Sequence, residues 1–189
     1  MDKKQRILLT MLELSAKNGL NATPISKVAK EANVAVGTIY HYYETKEDIV
    51  KELYTMVVQD LARMLVLNRD TTSSYKEQYR QIWLNFYNYF IANPSAFNFM
   101  DIVAIPPIID SEEVDKNMVH YKGLKEFMIQ GIKDKQLKNV ELKLLMQICF
   151  WNLITISRIR LRQELIMDQQ QINDAIDMSW DCIRHIEEN

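Results

Sequence analysis

Glycine and proline are scarce, with four of each in 189 residues, and the stretches 38–93 and 132–189 contain neither. Sheets need turns, and turns draw on glycine for positive φ and on proline for a fixed one. An all-β or doubly wound chain is therefore excluded, and an almost wholly helical one is expected. Gly19, Gly37, Gly123 and Gly131 stand too far apart for a glycine-rich phosphate loop, which removes the usual nucleotide cradles. Only two cysteines occur, Cys149 and Cys182, without metal-ligand spacing. They read as small core residues of a protein in a reducing compartment. His41, His120 and His185 are scattered, and neither an HExxH pattern, a carboxylate pair nor a nucleophile beside a base is present. No catalytic residue, metal site or cofactor is expected, and the chain is not an enzyme.

What is present is a globular composition, 48% hydrophobic and 25% charged, which offsets the entropy of ordering the chain. The amino terminus opens on Asp2, Lys3, Lys4 and Arg6, unlike a signal peptide. The most apolar window, 144–156, carries Gln147 and Asn152 and soon meets Arg158 and Arg160. It reads as too short to span a bilayer. A cytoplasmic protein with no membrane partner is expected. The net charge of −2 is unevenly spread: residues 1–46 hold seven basic and four acidic side chains, and the remainder 16 and 21. A basic front on an acidic body points to a polyanion meeting the front.

The first 50 residues read as three short helices. Ile7, Leu8, Met11 and Leu12 form a stripe at helical spacing that ends at Asn18 and Gly19. Thr23 is placed to cap a second helix with Pro24 in its first turn, and Ile25, Val28, Ala29 and Ala32 make its buried face. Asn33 can adopt the left-handed conformation that stops a helix, and another begins at Val36 within a few residues. Two short helices across so tight a turn make a helix-turn-helix. Gly37, early in the second of them, permits close approach of the backbone to a phosphate or base edge. Thr45 with Asp48 forms a capping box for a fourth helix.

Residues 23–49, TPISKVAKEANVAVGTIYHYYETKEDI, resemble the DNA-binding signature of the TetR family of bacterial repressors. The shared features are a Thr before helix 2, an Ile/Val-Ala pair, a short turn, Gly-Thr-x-Tyr, an aromatic pair and a Lys opening helix 4. Asn33 replaces the usual Gly, Ala35 a common Ser, and Tyr42 and Tyr43 the usual His and Phe. The resemblance implies phosphate contacts from Thr23, Thr38, Tyr42 and Lys46, and base-edge contacts from Val36, Gly37, Tyr40 and His41. Core packing is the other reading of Tyr40, and a helix-start surface residue the other reading of Lys46. The expected organisation is a DNA-binding domain at 1–50 and a ligand-binding and dimerisation domain at 51–189, all helical.

In the body, helices are expected at 46–67, 75–92, from Asp110 to about residue 135, from Asn139 to about 163, and from Asp168 to about 187, with 68–74 as a hinge and Pro106 and Pro107 ending a shorter helix. Nine of the 18 aromatic residues fall between positions 75 and 100. They exceed one core stripe and carry polar groups among them, which points to a pocket for a flat or amphipathic molecule. Its candidate lining is Tyr79, Trp83, Phe86, Tyr87, Phe90, Phe97, Met100, Asp101, Tyr121, Met146 and Phe150, with Asp101 either pairing with a cationic ligand or serving as a cap or surface residue. In the last helix Ile172, Ile176, Ser179, Ile183 and Ile186 recur at spacings of four and three. With Ile148, Thr155 and Ile159 they make a seam, fitting the four-helix-bundle homodimer that the resemblance implies. The expected function is a ligand-responsive regulator, a repressor, binding a near-palindromic double-stranded operator as a homodimer. The alternative is a constitutive DNA-binding protein whose body contacts a protein partner.

Overall fold

The computed structural model describes residues 1–103 and 108–186. Pro106 and Pro107, expected to stop a helix, lie outside the described residues. Ten α-helices run through those described: α1 (Lys3–Asn18), α2 (Ile25–Glu31), α3 (Val36–Tyr42), α4 (Lys46–Leu65), α5 (Tyr75–Ala92), α6 (Pro94–Val103), α7 (Ser111–Asn117), α8 (Lys122–Lys133), α9 (Leu142–Leu161) and α10 (Gln169–Ile183). One isolated antiparallel bridge, between Leu137 and Arg184, is the extended pairing they contain.

The helix starts follow side-chain chemistry. Asp2 accepts the Gln5 N–H at 2.7 Å to open α1, and Asp110 accepts the Glu113 N–H at 2.9 Å to open α7. Asp168 and Gln171 exchange both bonds of a capping box at α10. The ends depart from expectation where side chains intervene. The helix opened by Asp110 stops at Asn117, whose amide donates to the Glu113 carbonyl at 2.9 Å and competes with the ladder. A 3₁₀ turn over Met118–Tyr121 then separates α7 from α8. α10 stops at Ile183 because Arg184 turns extended, while the Lys138 N–H donates to the Ile183 carbonyl and the His185 N–H to the Gln136 carbonyl, both at 2.9 Å.

The chain forms two compact units that interleave along the sequence. The first comprises 1–60 and 93–119, the second 61–92 and 120–189. In the first, α1 packs on α2, α3 and α6, with Ile7, Met11, Val28, Ile39, Phe97 and Phe99 at its centre. In the second, α5 packs on α9 and α10. Their core is apolar with a few polar pins: the Tyr79 hydroxyl lies 2.6 Å from the Ser179 hydroxyl, and the Trp83 indole donates to Asn152 at 3.4 Å. Burial holds the Tyr79 phenol well above its ordinary pKa, so it stays neutral.

The stretch 68–74, expected as a hinge, is tied down instead. The Asn85 amide donates to the carbonyls of Leu65 and Leu67 at 3.1 and 2.8 Å, closing the end of α4. Asp70 accepts the Thr72 N–H and hydroxyl at 2.9 and 2.6 Å. Arg69 sits 5.1 Å over the Phe127 ring, which stacks on Tyr75 at 4.3 Å. The polar residues that read as a flexible linker use their side chains to satisfy backbone groups.

The apolar window 144–156 reads as too short for a membrane span; the helix that contains it, α9, is 20 residues long and by length and composition alone suffices for one. Only 28% of that window is buried. The inner face, Leu145, Cys149, Leu153, Ile154 and Ser157, packs in the second unit and leaves a second apolar face open.

Gly131 shows how close the packing is. A Cβ there would run into the Tyr75 phenol and lie 2.9 Å from Leu137 Cδ1, while the same phenol donates to the Phe127 carbonyl at 2.9 Å. Gly131→Ala is expected to lower stability by about 1–3 kcal/mol through overpacking, although helix propensity alone would favour alanine by about 1 kcal/mol. Denaturant unfolding of the two proteins checks the sign.

Candidate functional site

α2 and α3 meet across a turn made by the backbone itself. Asn33 takes φ 52, the left-handed conformation expected of it, and the Val34 N–H donates to the Ala29 carbonyl at 3.0 Å. Val28 and Ala29 from α2, Ala32 at its C-cap and Ile39 from α3 are buried, each no more than 4% exposed. α3 has no side-chain cap at Ala35, as the missing hydroxyl implies.

Burying Ile39 fixes which way the rest of α3 looks. Val36, Tyr40 and Tyr42 are 42, 53 and 42% exposed, unusually open for such side chains. Gly37 and His41 are exposed beside them, and Thr38 is half-buried. Tyr40 thus faces outward and not into the core. The His41 and Tyr42 rings meet edge to face at 5.4 Å. A Cβ at Gly37 would meet nothing within 4 Å. The protein's own packing therefore does not require glycine there, whereas a surface that must press against another body does.

One expected phosphate ligand is placed differently. Thr23 is fully buried, and its hydroxyl donates to the Gly19 carbonyl at 2.8 Å. Pro24, not Thr23, is the N-cap of α2, and no side chain caps that helix. Thr23 closes the turn after α1 and is withdrawn from the surface. The Lys46 ammonium is half-buried and donates to the Leu20 carbonyl, which uses one of its three N–H donors. Tyr43 packs inward, 5% exposed, beneath Lys4, which pairs with Glu52 at 2.7 Å. Burial and the neighbouring Glu52 carboxylate push its phenol pKa up, so of the aromatic pair only Tyr42 is presented outward.

The remaining candidates divide between the units. Tyr79, Trp83, Phe86, Tyr87 and Phe90 of the second unit are each no more than 4% exposed, and Tyr121, Met146 and Phe150 are half-buried. The rings pack on one another, Trp83 stacked on Tyr87 at 5.4 Å and Phe86 edge-on to Phe90 and Phe150 at 5.1 and 5.8 Å. Phe97 and Met100 are buried in the first unit, where Asp101 is half-buried. Two open grooves lie elsewhere. One of about 360 Å3 is lined by Ile91, Arg160, Leu161, Gln163, Leu165 and Ile166. The other, about 340 Å3, lies between residues 18–22 and Ile102, Val103 and Ile108.

Of the seam residues, Ile176, Ser179 and Ile183 are covered by their own chain, at most 2% exposed. The regular spacing in α10 is a core stripe packed on α5 and α9. Ile159 and Ile172 are half-buried, and Ile186 is exposed beyond the helix end. Ile148 and Thr155 do face outward, and Leu144 and Trp151 complete their stripe. The spacing 144, 148, 151, 155 was readable as one helical face, but α9 is apolar almost all round, so no pattern singled that face out.

Residues 7–53 match the model for bacterial regulatory proteins of the tetR family, and residues 74–184 match the model for the Tetracyclin repressor-like C-terminal domain. The chain belongs to the TetR family. The family consists of transcriptional regulators and not enzymes. The chain is similar to an uncharacterized HTH-type transcriptional regulator of Haemophilus influenzae, 36% identical over 94 residues, which are 50% of each protein. It thus spans about half the length of that curated relative. The structure of a TetR-family transcriptional regulator from Haemophilus influenzae superimposes with a TM-score of 0.82 at 26% identity, covering 97% of both chains. That of the regulator FadR from Bacillus subtilis, in complex with stearoyl-CoA, shares the fold with a TM-score of 0.77 at 19% identity, covering 93% of this chain and 96% of that one. An all-α TetR architecture, a helix-turn-helix head with a helical body, is therefore common to all of them.

The α4 start gives a test of the local electrostatics. Asp48 accepts the Thr45 hydroxyl and N–H at 2.7 and 2.8 Å, and these bonds hold its carboxyl below the ordinary value of 3.8. A depressed folded pKa means that this carboxylate stabilises the fold above 3.8 and that the contribution is lost as pH falls through the folded value. In an NMR titration, Thr45→Ala is expected to move the Asp48 midpoint back up toward 3.8.

Proposed function

We propose that the protein is a homodimeric transcriptional repressor that binds a near-palindromic duplex through α3 and is released by an amphipathic small molecule. The observation that carries the DNA-binding part is Gly37: an exposed glycine with open space around it, beside Val36, Tyr40 and His41 on one face of a helix that its own core leaves bare. Hydroxyls and a flat imidazole on such a helix suit the edges of bases in the major groove, with phosphate contacts assigned in this reading to Thr38 and Tyr42. Gly37→Ala separates binding from folding. It is expected to raise or leave unchanged the melting temperature, by helix propensity worth about 0.5–1 kcal/mol, while weakening binding to duplexes drawn from beside the coding region. Unaltered binding by this variant rejects α3 as the groove-facing helix.

The second copy is proposed to cover the outer face of α9, where Leu144, Ile148 and Trp151 are 51, 40 and 44% exposed. Large apolar side chains in a row on a long helix mark an association surface. Ile148→Glu with Trp151→Glu is expected to give a folded monomer in sedimentation velocity. A dimer unchanged by both substitutions places the interface elsewhere. Two heads related by a twofold axis would read half-sites about 34–36 Å apart.

Release by a ligand is supported by the body's aromatic cluster and by the FadR structure with stearoyl-CoA. Binding there would require the packed rings around Trp83, Phe86 and Phe150 to separate, a minor state made dominant by the ligand. The close packing of those rings favours the second reading, constitutive DNA binding with a protein partner on the body. Operator affinity that does not change across a series of fatty acyl and aromatic compounds supports this second reading.

A further inference from the structure

The groove beside the end of α9 has aliphatic walls. Ile91 lies near the end of α5, Leu161 ends α9, and Leu165 and Ile166, 49 and 83% exposed, come from the connection to α10. Its polar lining is Arg160 and Gln163. The Arg160 guanidinium is hydrogen-bonded to the Tyr87 hydroxyl, and no carboxylate pairs with it among the described residues. Gln163, at φ 56, takes the chain out of the helix before Glu164 completes an i, i+4 pair with it. Ser157, a surface neighbour of Arg160 and Leu161 by helical spacing, is fully buried, and its hydroxyl has no hydrogen-bond partner. A cation without a counter-charge and a buried donor without an acceptor thus lie one helical turn apart at an aliphatic groove. Both lack the same thing, an anionic oxygen. The volume of about 360 Å3 is near the lower end of the range for small-molecule sites, which suits a single chain and not a multi-ring or nucleotide-bearing molecule.

We infer that this groove binds a medium-chain aliphatic carboxylate, its head on Arg160 with the Ser157 hydroxyl as second donor and its chain along Ile91, Leu161, Leu165 and Ile166. The inference rests on the reading that an amphipathic molecule acts on the body; it names the chemical class and puts the first contact outside the closed ring cluster. Tyr87 is the link between the two. Burial holds its phenol above the ordinary pKa, against the pull of Arg160, so it is a neutral partner of the guanidinium. A carboxylate makes the stronger, charge-assisted bond and displaces it. The exchange frees Tyr87, whose ring stacks on Trp83 at 5.4 Å.

Calorimetric titration of the DNA-free protein with decanoate and with decanol separates recognition of charge from apolar adhesion. Decanoate is expected to bind about tenfold more tightly than decanol, or better. Arg160→Gln, an exposed substitution, is expected to remove about tenfold of the decanoate affinity and to leave that of decanol within about twofold. Ser157→Ala should weaken decanoate by about threefold while melting at the parental temperature or above, because it deletes an unsatisfied hydroxyl. No decanoate binding at about 1 mM, decanol bound as tightly as decanoate, or a decanoate affinity that Arg160→Gln leaves unchanged overturns the inference. Loss of duplex binding on adding decanol to the Arg160→Gln variant keeps the ligand-release reading without this site. Decanoate that binds through Arg160 and leaves duplex affinity unaltered keeps the site and rejects release.

Discussion

The head depends on the turn at Asn33. A left-handed φ there, with the Val34 N–H returned to the Ala29 carbonyl, brings Ile39 down onto Val28 and Ala29. An α-helix of seven residues has no stability of its own in water. α3 persists because one side chain per turn is buried, Ile39 within it and Tyr43 just past its end. Once those two are inside, Val36, Gly37, Tyr40 and His41 have to be outside. The same constraint that folds the head creates the surface proposed to meet DNA.

Around it, polar side chains have been recruited to close turns. Thr23 and Lys46 both serve carbonyls of the segment between α1 and α2, at Gly19 and Leu20. Asn85 does the same for the end of α4. Each satisfies backbone acceptors that a helix end leaves open, and Thr23 and Asn85 each withdraw a polar group that the residue type alone would assign to solvent or to a ligand.

The body makes the complementary point about apolar groups. Its aromatic residues stack on one another and fill the space between α5, α9 and α10, while the outer face of α9 keeps Leu144, Ile148 and Trp151 in solvent. Hydrophobic burial is thus satisfied in the ring cluster and unsatisfied on α9. A second copy of the chain would cover the latter at little conformational cost, since a rigid helix presents it.

Local chemistry was legible in the sequence: the helix starts at Thr45, Asp110 and Asp168, the left-handed Asn33, the stripe of α1, and the outward glycine at 37. These depend on a residue and its neighbours within one turn, which a one-dimensional string contains. The all-helical class followed from the missing turn residues for the same reason. Only the tertiary structure decided that Thr23 and Lys46 face a carbonyl, that the repeat in α10 is internal while one face of α9 is bare, that the 68–74 segment is pinned, and that α10 ends at Ile183. Each of those outcomes depends on a partner distant in sequence, and periodicity shows that a face is apolar without showing which surface it meets.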